Sequence, residues 1–175
     1  EYAGQQQVDG QLAISHFAQV DNDGSIEADD KIRIAEVARL NNALNNADAV
    51  MISADNISAD AVASINNAGL LVGEHFEINA GQLSNTGKIS LTSADMAIIG
   101  TLENDGILYQ RDEAADNAQV NLNAATFING ENAATDVIRG VIDLSSGNPG
   151  TLVNKGLLAE RKDAANSGLA MRGIG

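Results

Sequence analysis

One phrase, apolar-x-Asn-x-Gly-x-apolar, recurs five times along this chain without an internal gap. The copies begin at Val20, Ile65, Leu83, Leu102 and Leu152. Their polar positions are Asn22 and Gly24, Asn67 and Gly69, Asn85 and Gly87, Asn104 and Gly106, and Asn154 and Gly156. Successive glycines of the three central copies are 18 and 19 residues apart. This period is far too long for a coiled-coil heptad and is typical of a solenoid, in which each repeat forms one coil.

A second phrase, two apolar residues separated by one side chain, alternates with the first. The pairs are Ile32/Ile34, Val50/Ile52, Phe76/Ile78, Met96/Ile98, Val120/Leu122, Ile142/Leu144 and Leu169/Met171. A period of two places both side chains on one face of a strand. Degraded copies of the first phrase, around Asn42 and around Asn129 and Gly130, fill the gaps in the series. The chain therefore reads as seven to eight coils of roughly 20 residues in a single domain, residues 1–175.

The residue types of the first phrase suit strands joined by corners. Glycine supplies a positive-φ backbone at a corner without a Cβ penalty. Asparagine can form a hydrogen-bonded ladder with its equivalents in neighbouring coils. Coils ~4.8 Å apart would pair every strand with the equivalent strand above and below, which predicts an all-β solenoid. We then expect Ile26, Leu71, Ile89 and Leu108 to form one vertical column of inward side chains.

Composition limits both the core and the partners. Hydrophobic residues make up 44% of the chain and aromatic residues 3%, with no Trp and no Cys, so the core must consist of small aliphatic layers without disulfides. A formal net charge of -14 argues against nucleic acid or an anionic membrane as a partner. No apolar run approaches the roughly 20 residues that a membrane-spanning helix needs, so membrane insertion is not expected.

Some segments depart from the repeat. Excess residues at 56–63, 111–117 and 160–167 are rich in turn-forming types and are predicted to be loops ejected from a corner of the solenoid. Pro149 marks a tight turn. Apolar spacing over residues 29–46 would also suit a helix, in competition with the strand formed by Ile32 and Ile34, which the repeat register favours.

A calcium site is the main alternative chemistry. Asp21, Asp23 and Asp30 surround Gly24 in a pattern that resembles half of an EF-hand loop, in which glycine occupies the sixth position. The leading ligand would be Gln19, a neutral amide, and Asp30 stands where a bidentate Glu is wanted. The same residues are also the repeat phrase, and the opposing interpretation is a solvated acidic corner. We expect no required cofactor.

Catalysis is not expected from this composition. His16 and His75 stand alone and lack the spacing of metal ligands, so both are interpreted as surface or strand residues. No nucleophile elbow or phosphate-binding loop occurs. A polysaccharide-active β-helix would need opposed carboxylates and aromatic sugar platforms, and aromatic residues are scarce here. This enzyme class is kept as a third alternative.

A resemblance to a known family is carried by residues 64–110, which read SINNAGLLVGEHFEINAGQLSNTGKISLTSADMAIIGTLENDGILYQ. This alternation of phrases resembles the repeats of filamentous haemagglutinin-type bacterial exoproteins. The resemblance implies a right-handed parallel β-helix with three strands per coil. Only Asn148-Pro149-Gly150 is similar to the Asn-Pro-Asn signatures of the family's secretion domain, so this segment is not that domain.

The same resemblance implies a setting and a set of partners. It implies export through an outer-membrane secretion partner and an extracellular or cell-surface location. The repeat region would act as a stalk or adhesive shaft, with a receptor or glycan on a host or neighbouring cell as its ligand. The alternative is a self-assembling extracellular filament subunit whose end coils pair with copies of itself.

Overall fold

The structure is a computed structural model that describes residues 5–42, 51–111, 118–161 and 167–174. The described residues form parallel strands joined by short corners, together with one 3-10 turn at Ser145–Gly147 and no α-helix. The strands are β1 (Gln5–Val8), β2 (Gln11–Ser15), β3 (Gln19–Asn22), β4 (Ser25–Ala28), β5 (Lys31–Ala35), β6 (Arg39–Asn42), β7 (Met51–Ser53), β8 (Asn56–Asn67), β9 (Leu70–Asn85), β10 (Lys88–Asn104), β11 (Ile107–Gln110), β12 (Val120–Asn129), β13 (Ala134–Val137), β14 (Arg139–Asp143), β15 (Thr151–Asn154), β16 (Leu157–Glu160) and β17 (Gly168–Arg172). The prediction of an all-β chain is confirmed at this level.

The strands stack as three faces of a solenoid-like array. The first face contains β1, β4, β7, the start of β9, the start of β10, β11, β13 and β16, each paired in parallel with the next. The second face runs from β2 through β5 and the middle of β10 to β17. The third face runs from β3 to β15. Among the described residues this gives eight coils, the last of which contains only β16 and β17.

Inward side chains of each face form a continuous column. On the first face Ile26, Ile52, Leu71, Ile89 and Leu108 are partners in consecutive strands, which confirms the predicted column. The third-face column consists of Val20, Leu40, Ile65, Leu83, Leu102, Phe127 and Leu152. The inward columns of all three faces meet in one hydrophobic cluster built almost entirely from aliphatic side chains. The core therefore extends along the stack.

Two local predictions are wrong for the third coil. Ile52 belongs to the first-face column, beneath Leu71, and is not part of a second-face pair; its predicted partner Val50 lies outside the described residues. The second-face pair of this coil is Ile57 and Ala59, which lie under Phe76 and Ile78. Residues 56–63, predicted to form a loop, therefore belong to β8. Alanine at an inward position is too small to mark a strand clearly in the sequence.

The other departures from the repeat lie partly outside the described residues. Residues 29–42 contain β5 and β6, so the helical alternative is wrong there, and residues 43–46 lie outside the described residues. The predicted loop at 111–117 lies outside them except for Arg111, and the one at 160–167 except for its first two residues and its last. In the described part of the chain, no helix is long and apolar enough to cross a membrane.

The column gives a direct test of the packing. Ile89 is fully buried and Ile99 is 76% exposed, so the same substitution can be compared at the two sites. Ile89→Ala should lower the free energy of unfolding by about 2–5 kcal/mol because it leaves a cavity between Leu71 and Leu108. Ile99→Ala should change it by less than about 0.5 kcal/mol. Urea denaturation followed by circular dichroism measures both, and equal losses would contradict the assigned column.

Candidate functional site

The most distinctive internal feature is a ladder of asparagine side chains. It lies at the ends of the third-face strands, where each strand meets the corner leading to the first face. The members are Asn22, Asn42, Asn67, Asn85, Asn104, Asn129 and Asn154, each the register partner of the next. All except Asn154 are at most 2% exposed. We call this series the asparagine ladder; it confirms the predicted stacking and includes both degraded copies.

Every rung of the ladder has the same polarity. The Nδ2 of each Asn donates to the Oδ1 of the Asn in the next coil, at 2.7–2.8 Å in five of the six steps. The step from Asn104 to Asn129 is 3.4 Å. A primary amide carries both donors and an acceptor, so one residue type can repeat indefinitely along such a stack. The ladder thus satisfies buried polar groups that would otherwise destabilise the core.

The second amide hydrogen of most ladder residues forms a hydrogen bond across the corner to the first face. Asn22 donates to the carbonyl of Met51 at 3.1 Å, and Asn85 donates to the carbonyl of Ile107 at 3.2 Å. The bonds from Asn42, Asn67 and Asn129 reach the carbonyls of Leu70, Lys88 and Leu157 in the same way. Each acceptor is the first residue of a first-face strand. The ladder therefore connects the third face to the first face through most of the stack.

A threonine replaces this corner bond at the longest rung. Asn104 Nδ2 donates to Thr135 Oγ1 at 2.9 Å, and Thr135 Oγ1 donates to Asn129 Oδ1 at 2.7 Å. Thr135 is fully buried and occupies the column position above Leu108. Its hydroxyl both accepts and donates, so the ladder continues through it. Thr135 cannot be recognised from the sequence pattern, because its coil lacks the complete repeat phrase.

The glycines after the ladder are required for a reason other than the one predicted. The positive-φ glycines among the described residues are Gly10, at 99°, and Gly173, at 72°. Gly87 and Gly106 do not adopt positive φ, so that prediction is wrong. A Cβ on Gly87 would lie 2.1 Å from the carbonyl oxygen of Gly69, and one on Gly106 would lie 2.1 Å from that of Gly87. Close approach of stacked backbones therefore excludes side chains at these corners.

Gln110 forms hydrogen bonds from the interior to backbone groups at a second corner, between the first and second faces. It is fully buried and lies over Leu91 at the end of β11. Its Nε2 donates to the carbonyl of Thr92 at 2.9 Å, and its Oε1 accepts from the backbone N–H groups of Ile138 and Arg139 at 2.8 and 3.1 Å. Gln110 is not among the residues predicted from the repeat. The available signal was a polar side chain two residues after Leu108, where the alternation requires an inward position.

An aromatic and charged cluster on the outside of the first face contains residues from four consecutive coils. The Arg161 guanidinium lies 4.5 Å from the Tyr109 ring centroid, and its Nη1 donates to Tyr109 Oη at 2.6 Å. Arg161 Nη2 donates to the Gln110 carbonyl, and Nε lies 3.6 Å from Asp136 Oδ1. Lys88 Nζ is 6.0 Å from the same ring. Through these contacts, Arg161 connects the end of β16 to the coils beneath it.

The residues of the predicted calcium site serve other contacts. Asn22, between Asp21 and Asp23, is committed to the ladder, and its Oδ1 accepts from the N–H of Gly24 at 3.2 Å. Asp30 lies in the corner before β5 and accepts from Gln11 at 2.7 Å. Within the ranges that the structure describes, no three His, Cys, Asp or Glu side chains form a group that could hold a metal ion. The geometry gives the calcium hypothesis no support.

Two carboxyl groups have lowered pKa values. Hydrogen bonds from Asn41 and Gln19 favour the ionised form and hold the pKa of Asp21 below its ordinary value. Hydrogen bonds from Ser145 lower the pKa of Asp143 in the same way. Both groups lie on the surface of the stack. They reflect local polar contacts, and the positive charges of Arg39 and Arg172 also lower the pKa of Asp21 and Asp143 respectively.

The two histidines lie on different parts of the surface. His16 adopts a positive φ of 61° at the corner after β2, and its Nδ1 is 2.6 Å from Glu36 Oε2, with both side chains mostly exposed. His75 Nδ1 is 2.9 Å from Ser93 Oγ. Neither ring is grouped with other metal-ligating side chains among the described residues.

An open cleft at the corner between the first and second faces collects carboxylates. Its lining includes Glu27, Asp29, Asp55 and Glu74, together with Arg111. Arg111 Nη2 donates to the carbonyl of Gly73 at 2.8 Å. The cleft is therefore an acidic surface feature with one guanidinium in its lining.

The ladder can be tested with one interior and one terminal member. Asn85→Ala removes the acceptor of Asn67 and the donor to Asn104, and it leaves the Ile107 carbonyl without its side-chain partner. We expect a loss of about 1–3 kcal/mol in the free energy of unfolding. Asn154→Ala is the matched control at the exposed end and should lose under about 1 kcal/mol. Comparable losses in urea denaturation would argue against the ladder.

The corner glycines can be tested by the same substitution at two positions. Gly87→Ala places a Cβ against backbone of the preceding coil, whereas a Cβ on Gly168 meets nothing within 4 Å. Gly87→Ala should lower the free energy of unfolding by about 3 kcal/mol, at the upper end of overpacking effects. Gly168→Ala should be neutral within about 0.5 kcal/mol. Thermal unfolding of the two variants distinguishes steric exclusion from a general intolerance of alanine.

Comparison of the chain with protein-family models, curated proteins and solved structures finds no match to any of them. What the chain does must therefore be inferred from its own residues.

Proposed function

We propose that this chain is a shaft segment of a secreted or surface-exposed bacterial protein, with a structural role as a stalk or adhesin shaft. The observation that carries the proposal is the continuous interior: the asparagine ladder and the apolar columns of the three faces extend through the stack without a break for a ligand cavity among the described residues. A rigid spacer requires this kind of interior, because each coil is held in place by contacts with the neighbouring coils.

The use of the buried polar groups supports a structural role. Six buried ladder amides, together with Thr135 and Gln110, all make hydrogen bonds within the stack. Among the described residues, these buried groups are used to hold neighbouring coils in register. Contacts with partners would then be made by the outer faces and corners. We expect no catalytic activity and no required cofactor.

The finer architecture is part of the same proposal. We infer a right-handed β-helix, because parallel strands connected across a sheet follow a right-handed path in nearly all proteins. The resemblance to haemagglutinin-type repeats supports the same winding. It also supports export through an outer-membrane secretion partner. The net charge of -14 would keep an exposed rod soluble and separate from nucleic acid.

An adhesive role would add a receptor or glycan to this scaffold. The outer positions of the third face carry Asp21, Asn41 and Asn66 in register, with Asn66 donating to Asn41 and Asn41 donating to Asp21 at 2.8 and 2.7 Å. This row is a flat polar surface on a fixed spacing. Glycan hydroxyl groups could bind to such a row. Its amides already form hydrogen bonds with their neighbours in the row, so fewer groups are available for a ligand. A shaft is therefore the favoured role.

A surface-display experiment tests the shaft. The chain is inserted between an outer-membrane anchor and a terminal epitope on a Gram-negative host, and fluorescence measures the epitope height above the membrane. Eight coils ~4.8 Å apart predict a height increment of about 40 Å with a narrow distribution. A Gly/Ser linker of equal length is the control, and it should give a broad distribution around about 70 Å.

A broad distribution for the chain like that of the linker would contradict the shaft. Purified chain incubated with acidic and neutral polysaccharides provides a second measurement. A loss of solution viscosity would identify a polysaccharide-active enzyme instead, for which the acidic cleft would be the first place to search.

A further inference from the structure

A small cavity lies on the outside of the second face, across β5, β8 and the middle of β9. We call it the second-face cavity; its volume is about 200 Å³. Pockets for drug-sized ligands are larger, ~300–1,000 Å³, so an occupant of this cavity is a single small polar group. Each of the three coils that line it has a paired coil on both sides. The polar lining residues are Lys31, Arg33, Ser58, Asp60, Glu77 and Asn79.

Ser58 supplies a hydroxyl that has no use within the fold. The residue is 9% exposed, and its Oγ is buried without a hydrogen-bond partner among the described residues. Its register partners in the two neighbouring coils are Arg33 and Glu77, which are exposed and longer. A shielded hydroxyl destabilises the structure until it gains a partner. Exposed side chains rotate within nanoseconds, so Arg33 and Glu77 can move aside and admit a partner.

The charges around this hydroxyl are separated by sign. Lys31 and Arg33 are outward residues of β5, two positions apart. Asp60 and Glu77 lie in the next two coils, and Asn79 Nδ2 donates to Asp60 Oδ1 at 3.3 Å. Within the described ranges, none of the four charged groups takes part in an ion pair. The cavity therefore has a cationic side and an anionic side, one to two coil spacings or ~5–10 Å apart.

The cationic side suits a phosphate group. A guanidinium binds phosphate oxygens through two parallel N–H donors, an ammonium adds a point charge, and the Ser58 hydroxyl can donate to a further oxygen. The carboxylates of Asp60 and Glu77 only accept hydrogen bonds, so they require a donor such as an ammonium group. The four charged side chains sum to zero in a chain of net charge -14. A neutral zwitterion therefore enters without the repulsion that an anion would meet.

The lining favours a primary ammonium over a quaternary one. Quaternary ammonium groups are recognised by aromatic cages, and the described lining contains no aromatic side chain. A primary ammonium offers three N–H donors, which two carboxylates can accept. A free α-amino acid does not fit, because its two charged groups are attached to one carbon and cannot reach both sides of the cavity.

We propose that the second-face cavity binds a phosphoethanolamine group, with the phosphate between Lys31 and Arg33 and the ammonium between Asp60 and Glu77. The Ser58 hydroxyl donates to the phosphate, and the two-carbon link of ethanolamine separates the charges across it. Phosphoethanolamine occurs both as a lipid headgroup and in soluble esters, which share this chemistry. The site adds a ligand to the side of the shaft and goes beyond its structural role.

Two soluble probes test the recognition of both charges. Glycerophosphoethanolamine and glycerophosphocholine differ only in the methyl groups on nitrogen. NMR titration of isotope-labelled chain with the first probe, up to about 10 mM, should shift signals of residues 31–33, 58–60 and 77–79. The second probe should bind at least about tenfold more weakly, because methylation removes the N–H donors. No shifts at these residues, or equal affinity for the two probes, would overturn the proposal.

Two substitutions with matched controls test the contacts. Ser58→Ala should raise the Kd for glycerophosphoethanolamine about tenfold, because it removes a donor to a charged group. Ser90→Ala, at an 8% exposed position on the first face, should leave it unchanged. Arg33→Gln should raise the Kd about tenfold, whereas Arg39→Gln on the third face should not. Circular dichroism checks that each variant is folded, and an unchanged Kd for Ser58→Ala or Arg33→Gln would overturn the assigned site.

Vesicles distinguish the two sources of the group. The chain is sedimented with phosphatidylcholine vesicles that contain or lack phosphatidylethanolamine. Binding only to the vesicles with phosphatidylethanolamine supports a lipid headgroup, and binding of the soluble probe without vesicle binding supports a soluble ester. Equal binding to both kinds of vesicle would overturn the specificity. The display experiment is independent, since a fixed epitope height without probe binding would retain the shaft and reject only this site.

Discussion

In-register parallel stacking is the constraint on which the rest of this structure depends. Because every strand lies directly on its equivalent in the next coil, each inward position must be filled by a residue compatible with a near-copy of itself ~4.8 Å away. Aliphatic side chains meet this condition by dispersion and burial. Asparagine meets it with a polar group, since its amide donates upward and accepts from below. A carboxylate at the same position would repel its neighbours, and a hydroxyl would provide only one hydrogen to donate.

The ladder also explains how coils of unequal length share one stack. Asn67, Asn85 and Asn104 follow each other at 18 and 19 residues, whereas Asn42 to Asn67 and Asn104 to Asn129 each take 25. The ladder stays in register through these changes because extra residues are accommodated elsewhere in the coil. One consequence is visible at the long rung, where Thr135 makes the bond that a corner carbonyl makes at other rungs. The stack therefore tolerates insertions wherever they leave the ladder and columns unchanged.

The sequence predicted the repeat and its ladder correctly but was less reliable about which face each strand occupies. Asn42 and Asn129 were recognised as ladder positions despite damaged phrases, because an isolated Asn at the right interval is a strong signal. Ile52 was assigned to the wrong face, because apolar-x-apolar alternation looks the same on every face of a solenoid. Thr135 and Gln110 were missed for a related reason. A buried polar residue is recognised only when its partners are known, and those partners are 6 to 31 residues away in the chain.

The sequence by itself determined the period, the strand character, the ladder asparagines and the need for glycine after them, since these follow from local alternation and from recurrence at fixed intervals. Only the tertiary structure decided why the glycine is needed. Gly87 lies against the carbonyl of Gly69, a contact between coils that no local pattern reveals. The tertiary structure also decided which apolar residues share a column and which side chains bond to the carbonyls at the corners. Both depend on the register between coils, which is set by long-range hydrogen bonds and close packing.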